Sequence, residues 1–256
     1  MKSDSHVPAN ADPADPDRHI AEVKSAYIRR DNQGPSPIYR FTNPAYLFHF
    51  QDLEWEMMSE LRRAGLDLSR CSVLEVGTGV GHILHRLKAY GAQRAVGMDL
   101  LESRIQDARR IHPTVDFVVG DAAQMPFADE TFDLVIQFTC FSSVTDRSVR
   151  VRIAREMWRV LASGGAVLSY DFRPRPLYDR WMQRRAGPMP EGVVGTARIP
   201  PGDIAAMFPE GKASYRKVGI DFQLAGHAAR SRLAVTALRG LPLLQPYALV
   251  TIRKRS

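Results

Sequence analysis

Glu75-Val76-Gly77-Thr78-Gly79-Val80-Gly81 joins a short Val/Leu-rich run, Ser72 to Val76, to His82-Ile83-Leu84-His85-Arg86-Leu87, whose apolar residues recur three or four apart. Strand, glycine-rich bend and helix, in that order, are the context a ligand-binding loop requires. Glycine lets the backbone turn through positive φ and lets a ligand approach where a Cβ would collide. The spacing also excludes ligand classes. A dinucleotide fingerprint places its third glycine at the sixth position, which is His82 here, and no Gly-Lys-Ser/Thr follows to make a Walker loop. A pyrophosphate-bearing ligand is therefore disfavoured.

Outward from this loop the chain alternates strand-like and helix-like stretches. Arg94 to Leu100, Val115 to Asp121, Phe132 to Phe138 and Gly165 to Phe172 are short apolar runs suited to buried parallel strands, with periodic helices or room for them between. Right-handed crossovers then predict an α/β fold, a Rossmann-like doubly wound sheet. Ala213 to Phe222 and Tyr247 to Lys254 read as a C-terminal antiparallel hairpin, which brings the mostly parallel sheet to seven strands. Residues 223–240 read as helical, and a short helix near Ile204 is expected to be capped by Asp203. Upstream lies an N-terminal helical extension. One helix starts at Asp15-Pro16 with Ile20, Val23 and Tyr27 in phase, and a second at Asn43-Pro44 carries Leu47, Phe50, Leu53, Met57 and Leu61 on one face until Gly65 ends it. The expected organisation is a disordered tail over 1–15, a helical lid or cap over 16–70, and a main domain over 71–256 with substrate-side insertions at 171–201 and 222–246.

Composition narrows the classes further. The 256 residues include 18 Gly and 17 Pro, which without a period excludes collagen-like and low-complexity chains. No apolar run approaches the ~20 residues of a membrane span. Cys71 and Cys140 lie far apart and the first residues lack a secretory apolar run, so a reducing cytoplasm is expected. A net charge of +7 points to an acidic or phosphorylated substrate, with nucleic acid as the competing reading and an arginine-biased genome as the plain one.

An acidic residue followed by Gly-x-Gly-x-Gly resembles the first motif of the class I S-adenosylmethionine (SAM) dependent methyltransferases, and the likeness extends in order over residues 72–172. The second motif is similar to Gly97-Met98-Asp99-Leu100, the third to Gly120-Asp121-Ala122, the fourth to Phe132-Asp133-Leu134-Val135 running into Gln137-Phe138-Thr139. Arg155-Glu156 through Leu161 with Gly164-Gly165 is similar to the helix and turn before the fifth strand. The resemblance implies SAM as cofactor, with Glu75, Gly77, Thr78, Gly79 and Gly81 in the loop, Asp99 and Leu100 at the ribose, Asp121 and the Ala122 amide at the adenine, and Gln137 beside the methionine part. Plain alternatives stay open: Glu75 as a brace of the loop, Asp99 as a helix N-cap, Asp121 as a turn residue.

No Asn/Asp-Pro-Pro-Tyr segment ends the fourth strand, which demotes methylation of nucleic-acid amino groups, and Cys140 lacks the Pro-Cys context of a methylating nucleophile. It reads as a small hydrophobe. His82 and His85 lie one turn apart without a third ligand in view, so a solvated helix face and no metal site is expected. The acceptor is expected to be a small molecule, acidic or a glycan, methylated on the hydroxyl of a sugar, glycan or secondary metabolite; N- or C-methylation is the alternative, followed by RNA methylation or SAM binding without transfer. Asp171 and His49 are the candidate bases. Tyr39, Tyr46, Arg173 and Arg175 are the candidate acceptor contacts, with Arg180, Arg184 and Arg185 nearby. Pairing of Asp171 with Arg173 or Arg175, and packing of His49 in a helix face, are the plain alternatives.

Overall fold

The computed structural model describes residues 16–32, 40–180, 196–220 and 231–255. The expectations for the tail 1–15, for Tyr39, Arg184 and Arg185, and for the remaining parts of both insertions lie outside these residues. Seven strands, β1 Ser72–Val76, β2 Arg94–Asp99, β3 Asp116–Val119, β4 Phe132–Phe138, β5 Leu161–Phe172, β6 Lys212–Val218 and β7 Tyr247–Arg253, form one sheet in the order β3-β2-β1-β4-β5-β7-β6. The first five run parallel, while β7 is antiparallel to both β5 and β6. The helices are α1 Pro16–Asn32, α2 Pro44–Arg63, α3 His82–Ala89, α4 Glu102–Ile111, α5 Cys140–Ser143, α6 Arg147–Val160, α7 Pro201–Ala206 and α8 Arg232–Arg239. Among the described residues no helix is long and apolar enough to cross a membrane.

Successive strand residues point to opposite faces, so each strand feeds two cores. Val73, Leu134 and Leu168 pack beneath α2, α3 and α4 through Phe50, Met57, Leu84 and Ile105. Their neighbours Leu74, Val135 and Val167 meet Ile153 and Met157 of α6 and Ile204 of α7. This two-sided cover is why the parallel strands read as continuous apolar runs.

Helix α2 begins as its sequence dictates: the Asn43 side chain accepts from the Ala45 amide at 3.0 Å, and Pro44 fills the first turn. Leu47 departs from the expected face and is exposed. Ala45 and Phe48 point inward instead, against Ile220, Val235 and Leu238, which sets the phase of the first turn. Asp203 also differs: Pro200 occupies the N-cap of α7 and Asp203 lies within the first turn, where its charge complements the helix dipole.

The other side of α2 carries a ladder of buried acids. Asp52 pairs with Arg239 of α8, Glu56 with Arg216 of β6 at 3.2 Å, and Glu60 with Arg216 at 3.0 Å and Arg63 at 2.5 Å, while Thr251 of β7 donates to Glu60 at 3.2 Å. Burial drives the Glu60 carboxyl upward, but the Arg216 and Arg63 hydrogen bonds outweigh it and hold it below the usual range. The helix expected as part of a lid is wired into the C-terminal hairpin.

Candidate functional site

β1 and β4 are neighbours whose chains leave the sheet toward opposite sides, which opens a crevice at the carboxyl ends of the strands. The glycine loop fills one wall. Gly77 and Thr78 donate their amides to the Met98 carbonyl at 2.8 and 3.0 Å, tying the bend to β2. Gly77, Gly79 and Gly81 all have positive φ, at 70°, 57° and 78°, but their surroundings differ. A Cβ at Gly77 would stand 2.9 Å from Cys140 Sγ, and one at Gly81 2.5 Å from the Phe117 ring. A Cβ at Gly79 would meet no protein atom within 4 Å. Two of the glycines thus answer to internal packing, and the third borders open space.

Glu75 lies beneath the loop. It accepts from Thr78 Oγ1 at 2.6 Å and from the Leu84 amide, and burial, reinforced by the Asp99 charge, pushes its carboxyl up to about 8 despite those bonds. Because this folded-state pKa exceeds the unfolded value, the native state holds the proton more tightly. That contribution to stability is complete below the unfolded pKa and is lost as pH rises through about 8. The stability of wild type relative to Glu75→Gln is therefore expected to fall between pH 5 and pH 8.5, so that the difference in Tm between the two proteins shifts in favour of the variant as pH rises. Parallel melting curves would refute the buried-acid assignment.

Asp99 ends β2 with both carboxylate oxygens engaged: Oδ2 accepts from the Gly79 amide at 2.8 Å and Oδ1 from the Leu101 amide at 3.0 Å. Leu101 holds the N-cap position of α4 and Leu100 is half-buried beside it, so Asp99 itself is not that cap. Asp121 follows β3, half-buried, and accepts from the Ala123 amide at 2.8 Å through Oδ1; Ala122 sits in the same turn.

The end of β4 differs from expectation. Gln137 is fully buried and its polar capacity is spent internally. Its Nε2 donates to Ser169 Oγ and Asp171 Oδ2, and its Oε1 accepts from the Cys140 and Phe141 amides at 2.9 and 3.2 Å. Its side chain is a strut between β4, β5 and α5, and the strand end that the resemblance sets beside the methionine part presents its backbone. Asp171, also fully buried, accepts from Ser169 Oγ at 2.9 Å and from the Ser142 amide at 2.9 Å; burial raises its carboxyl to about 6 against these bonds. Among the described residues Asp171 makes no pair with Arg173 or Arg175. Above this network Thr139 adopts φ 58°, an uncommon conformation for a residue bearing a Cβ, and its amide donates to the Tyr170 carbonyl at 2.7 Å. Nothing in the sequence signals that turn. Cys140 lies against Gly77, with its thiol pushed up by burial.

On the far side of the crevice, His49 of α2 meets Tyr247 at 5.1 Å and Tyr170 at 6.4 Å between ring centroids, while Tyr170 stacks on Tyr247 at 4.5 Å and Phe138 and Phe172 flank them. Apolar surroundings bring the His49 pKa down to about 4. Tyr46 packs on Phe41 at 5.2 Å. Arg173 and Arg175, expected at the acceptor, are buried staples: Arg173 Nε donates to the Gln245 carbonyl at 2.8 Å and its Nη2 to Pro242, and Arg175 Nη1 donates to Leu244 at 3.2 Å while its guanidinium covers the Tyr178 ring. The carbonyls of the second insertion, some seventy residues downstream, account for the change. His82 and His85 are likewise not a solvated pair, since His112 lies 3.1 Å from His82 and stacks on His85; among the described residues no group fit to hold a metal occurs.

The residues of the crevice suit SAM. Asp99 and Asp121 flank a loop that bears no Lys or Arg, which repels phosphate and favours a cationic ligand, and the open side of Gly79 leaves room for it. Comparison with known proteins agrees. A family model described as a methyltransferase domain matches residues 73–165. A demethylmenaquinone methyltransferase of Roseiflexus sp. (strain RS-1) is 31% identical over 228 residues, which cover 78% of this chain and 91% of the relative. Phthiotriol/phenolphthiotriol dimycocerosates methyltransferase 1 of Mycobacterium ulcerans (strain Agy99) is 35% identical over 125 residues, 48% of this chain and 45% of that one. A crystal structure of the PH0226 protein from Pyrococcus horikoshii OT3 shares the fold with a TM-score of 0.61, at 22% identity over 82% of this chain and 91% of that one. With its motifs in register and a relative matched along almost its full length, the chain belongs to the class I SAM-dependent methyltransferases.

Proposed function

We propose that this methyltransferase acts on a small, apolar molecule bearing an acidic hydroxyl of the phenol or enol type, and that the oxygen accepts the methyl group. The carrying observation is the absence of a competent strong base among the described residues of the acceptor side. A carboxylate held by three donors, as Asp171 is, positions its neighbours and is poorly placed to take a proton. A histidine with a pKa near 4 is neutral at pH 7 and weakly basic. A sugar hydroxyl would need more help than either provides, whereas a phenol ionises at ~10 unaided. Phe138 and Phe172, partly exposed against the buried rings of Tyr170 and Tyr247, give the acceptor side an apolar lining. The names of the two relatives, a demethylmenaquinone and a phthiotriol/phenolphthiotriol enzyme, favour a small apolar acceptor over the glycan reading, and the first of them keeps transfer to ring carbon as the alternative that the product analysis must separate.

SAM, when bound, supplies an electrophilic methyl group on a cationic sulfur. The chain's own task is to align the acceptor and exclude water. In this reading Asp99 accepts from the ribose hydroxyls, Asp121 and the Ala122 amide hold the adenine, and Glu75, Gly77, Thr78, Gly79, Gly81 and Leu100 shape the cradle. Tyr46 closes over the acceptor. The Tyr170 hydroxyl is buried with no partner among the described residues, and is assigned to the acceptor oxygen. A reducing cytoplasmic setting, in keeping with the free thiols of Cys71 and Cys140, belongs to the same proposal.

The test is incubation with SAM and a panel of phenols, enols, sugars and amines, read by product mass and by the position of the new methyl in NMR. Phenols or enols are expected to gain one methylene unit at oxygen, with a rate that follows the acceptor's own ionisation. Tyr170→Phe is expected to raise the acceptor KM about 5- to 20-fold, the loss of one hydrogen bond, with SAM affinity unchanged. Methylation confined to sugars, to nitrogen or to ring carbon overturns the reading.

A further inference from the structure

The acid ladder pins α2, but α1 is held in another way. Its half-buried residues Ile20, Val23 and Tyr27 recur at helical spacing, and Asp31 continues the same stripe. The two ends of the stripe reach opposite sides of the sheet. Ile20 packs on the core beneath α6 and α7, the cluster to which Val118 of β3 and Ala122 of the turn after it also belong. Asp31 meets α4, the helix whose Ile105 and Ala108 cover the other core. There Arg104 donates from Nε to Asp31 Oδ2 at 2.8 Å and from Nη2 to Oδ1 at 2.9 Å, and its guanidinium lies 4.6 Å from the centre of the Tyr27 ring.

A helix can serve both cores only by passing over the rim of the sheet. From Ile20 to Asp31 the axis runs ~16 Å, the width of about three strands, which suffices for the crossing. Arg104 fixes the rim: it stands in the first turn of α4, just past Asp99 at the carboxyl end of β2. Burial works against its charge, while Asp31 first and the Asp99 carboxylate next raise its pKa, so Arg104 lies within the field of the residue assigned to the ribose. The crossing is therefore at the carboxyl ends of β2 and β3, on the side of the crevice that carries Asp99 and Asp121. We propose that α1 is a latch over the cofactor: Arg104 grips Asp31 and Tyr27 to hold the helix across the ribose and adenine, and the cofactor enters and leaves when this grip opens. The inference rests on the reading of Asp99 and Asp121 as cofactor contacts. Both carboxylate oxygens of Asp31 are engaged by Arg104, so Asp31 governs timing and makes no ligand contact of its own. A bidentate guanidinium–carboxylate pair is directional and strong, yet this one is partly exposed and ionic, which leaves it open to local motion and to salt. One cover must lift for entry and for exit, so loosening it speeds both by the same factor and spares the affinity.

The experiment is surface plasmon resonance of the full chain with S-adenosylhomocysteine, with hydrogen exchange of the α1 amides alongside. Asp31→Ala is expected to raise the association and dissociation rate constants together, about 3- to 10-fold, with Kd within about twofold of wild type and with amide protection lost along α1. Asp31→Glu keeps the charge and is expected to fall nearer to wild type. Added NaCl is expected to speed exchange of the ligand in wild type and to have no such effect in Asp31→Ala. Equal rate constants in Asp31→Ala and wild type, or a change confined to one of the two, overturn the latch. Failure of the underlying cofactor assignment reads differently: Asp99→Ala then leaves Kd unchanged, while the rate constants of Asp31→Ala still decide on the latch.

Discussion

Gly79→Val is expected to abolish measurable SAM binding while the far-UV circular dichroism stays native. Gly79 is the loop glycine whose added Cβ would meet open space rather than protein, so the new side chain fills volume that the ligand requires. Its φ of 57° adds local strain of ~1–2 kcal/mol for a residue with a Cβ, enough to lower Tm by a few degrees without unfolding the sheet. A loss beyond about 100-fold, ~2.8 kcal/mol, is the expected calorimetric result. A valine variant with native affinity would show that the ligand does not pass over this bend.

Asp99→Ala is expected to weaken SAM binding by ~1.5–3 kcal/mol, roughly 10- to 150-fold, the range for hydrogen bonds to a charged group. The effect has two sources. The assigned ribose contact is removed, and the Gly79 amide loses the carboxylate that holds the loop against β2. Asp99→Asn keeps an acceptor oxygen and is expected to fall between alanine and wild type. Unchanged affinity of Asp99→Ala in isothermal calorimetry would overturn the ribose assignment.

What is legible in the sequence is local. The glycine bend, the apolar strands and the Asn43-Pro44 start of α2 are dictated by neighbours within a few residues, and each stands in the structure where its pattern places it. What misleads lies in partners far along the chain. The burial of the Gln137 side chain is not legible, because Ser169 and Asp171, which consume its amide, are some thirty residues away. Arg173 and Arg175 look like substrate clamps because the carbonyls that hold them lie near residue 244. Asp52, Glu56 and Glu60 give no sign of burial, since i, i+4 spacing does not tell water from a row of arginines. The glycines carry a mixed message too. Spacing identifies the family, but the Cys140 and Phe117 contacts that require Gly77 and Gly81 are tertiary.

The acid ladder of α2 also orders events during synthesis. Asp52, Glu56 and Glu60 leave the ribosome long before Arg216, Arg239 and Thr251 are translated. Until then the nascent helix cannot seat three carboxylates in an apolar layer without large desolvation cost, so it stays hydrated and undocked. Docking of α2 is therefore expected only after the last strand is released, and a chain stopped before β7 is expected to keep α2 undocked, read as loss of amide protection along that helix.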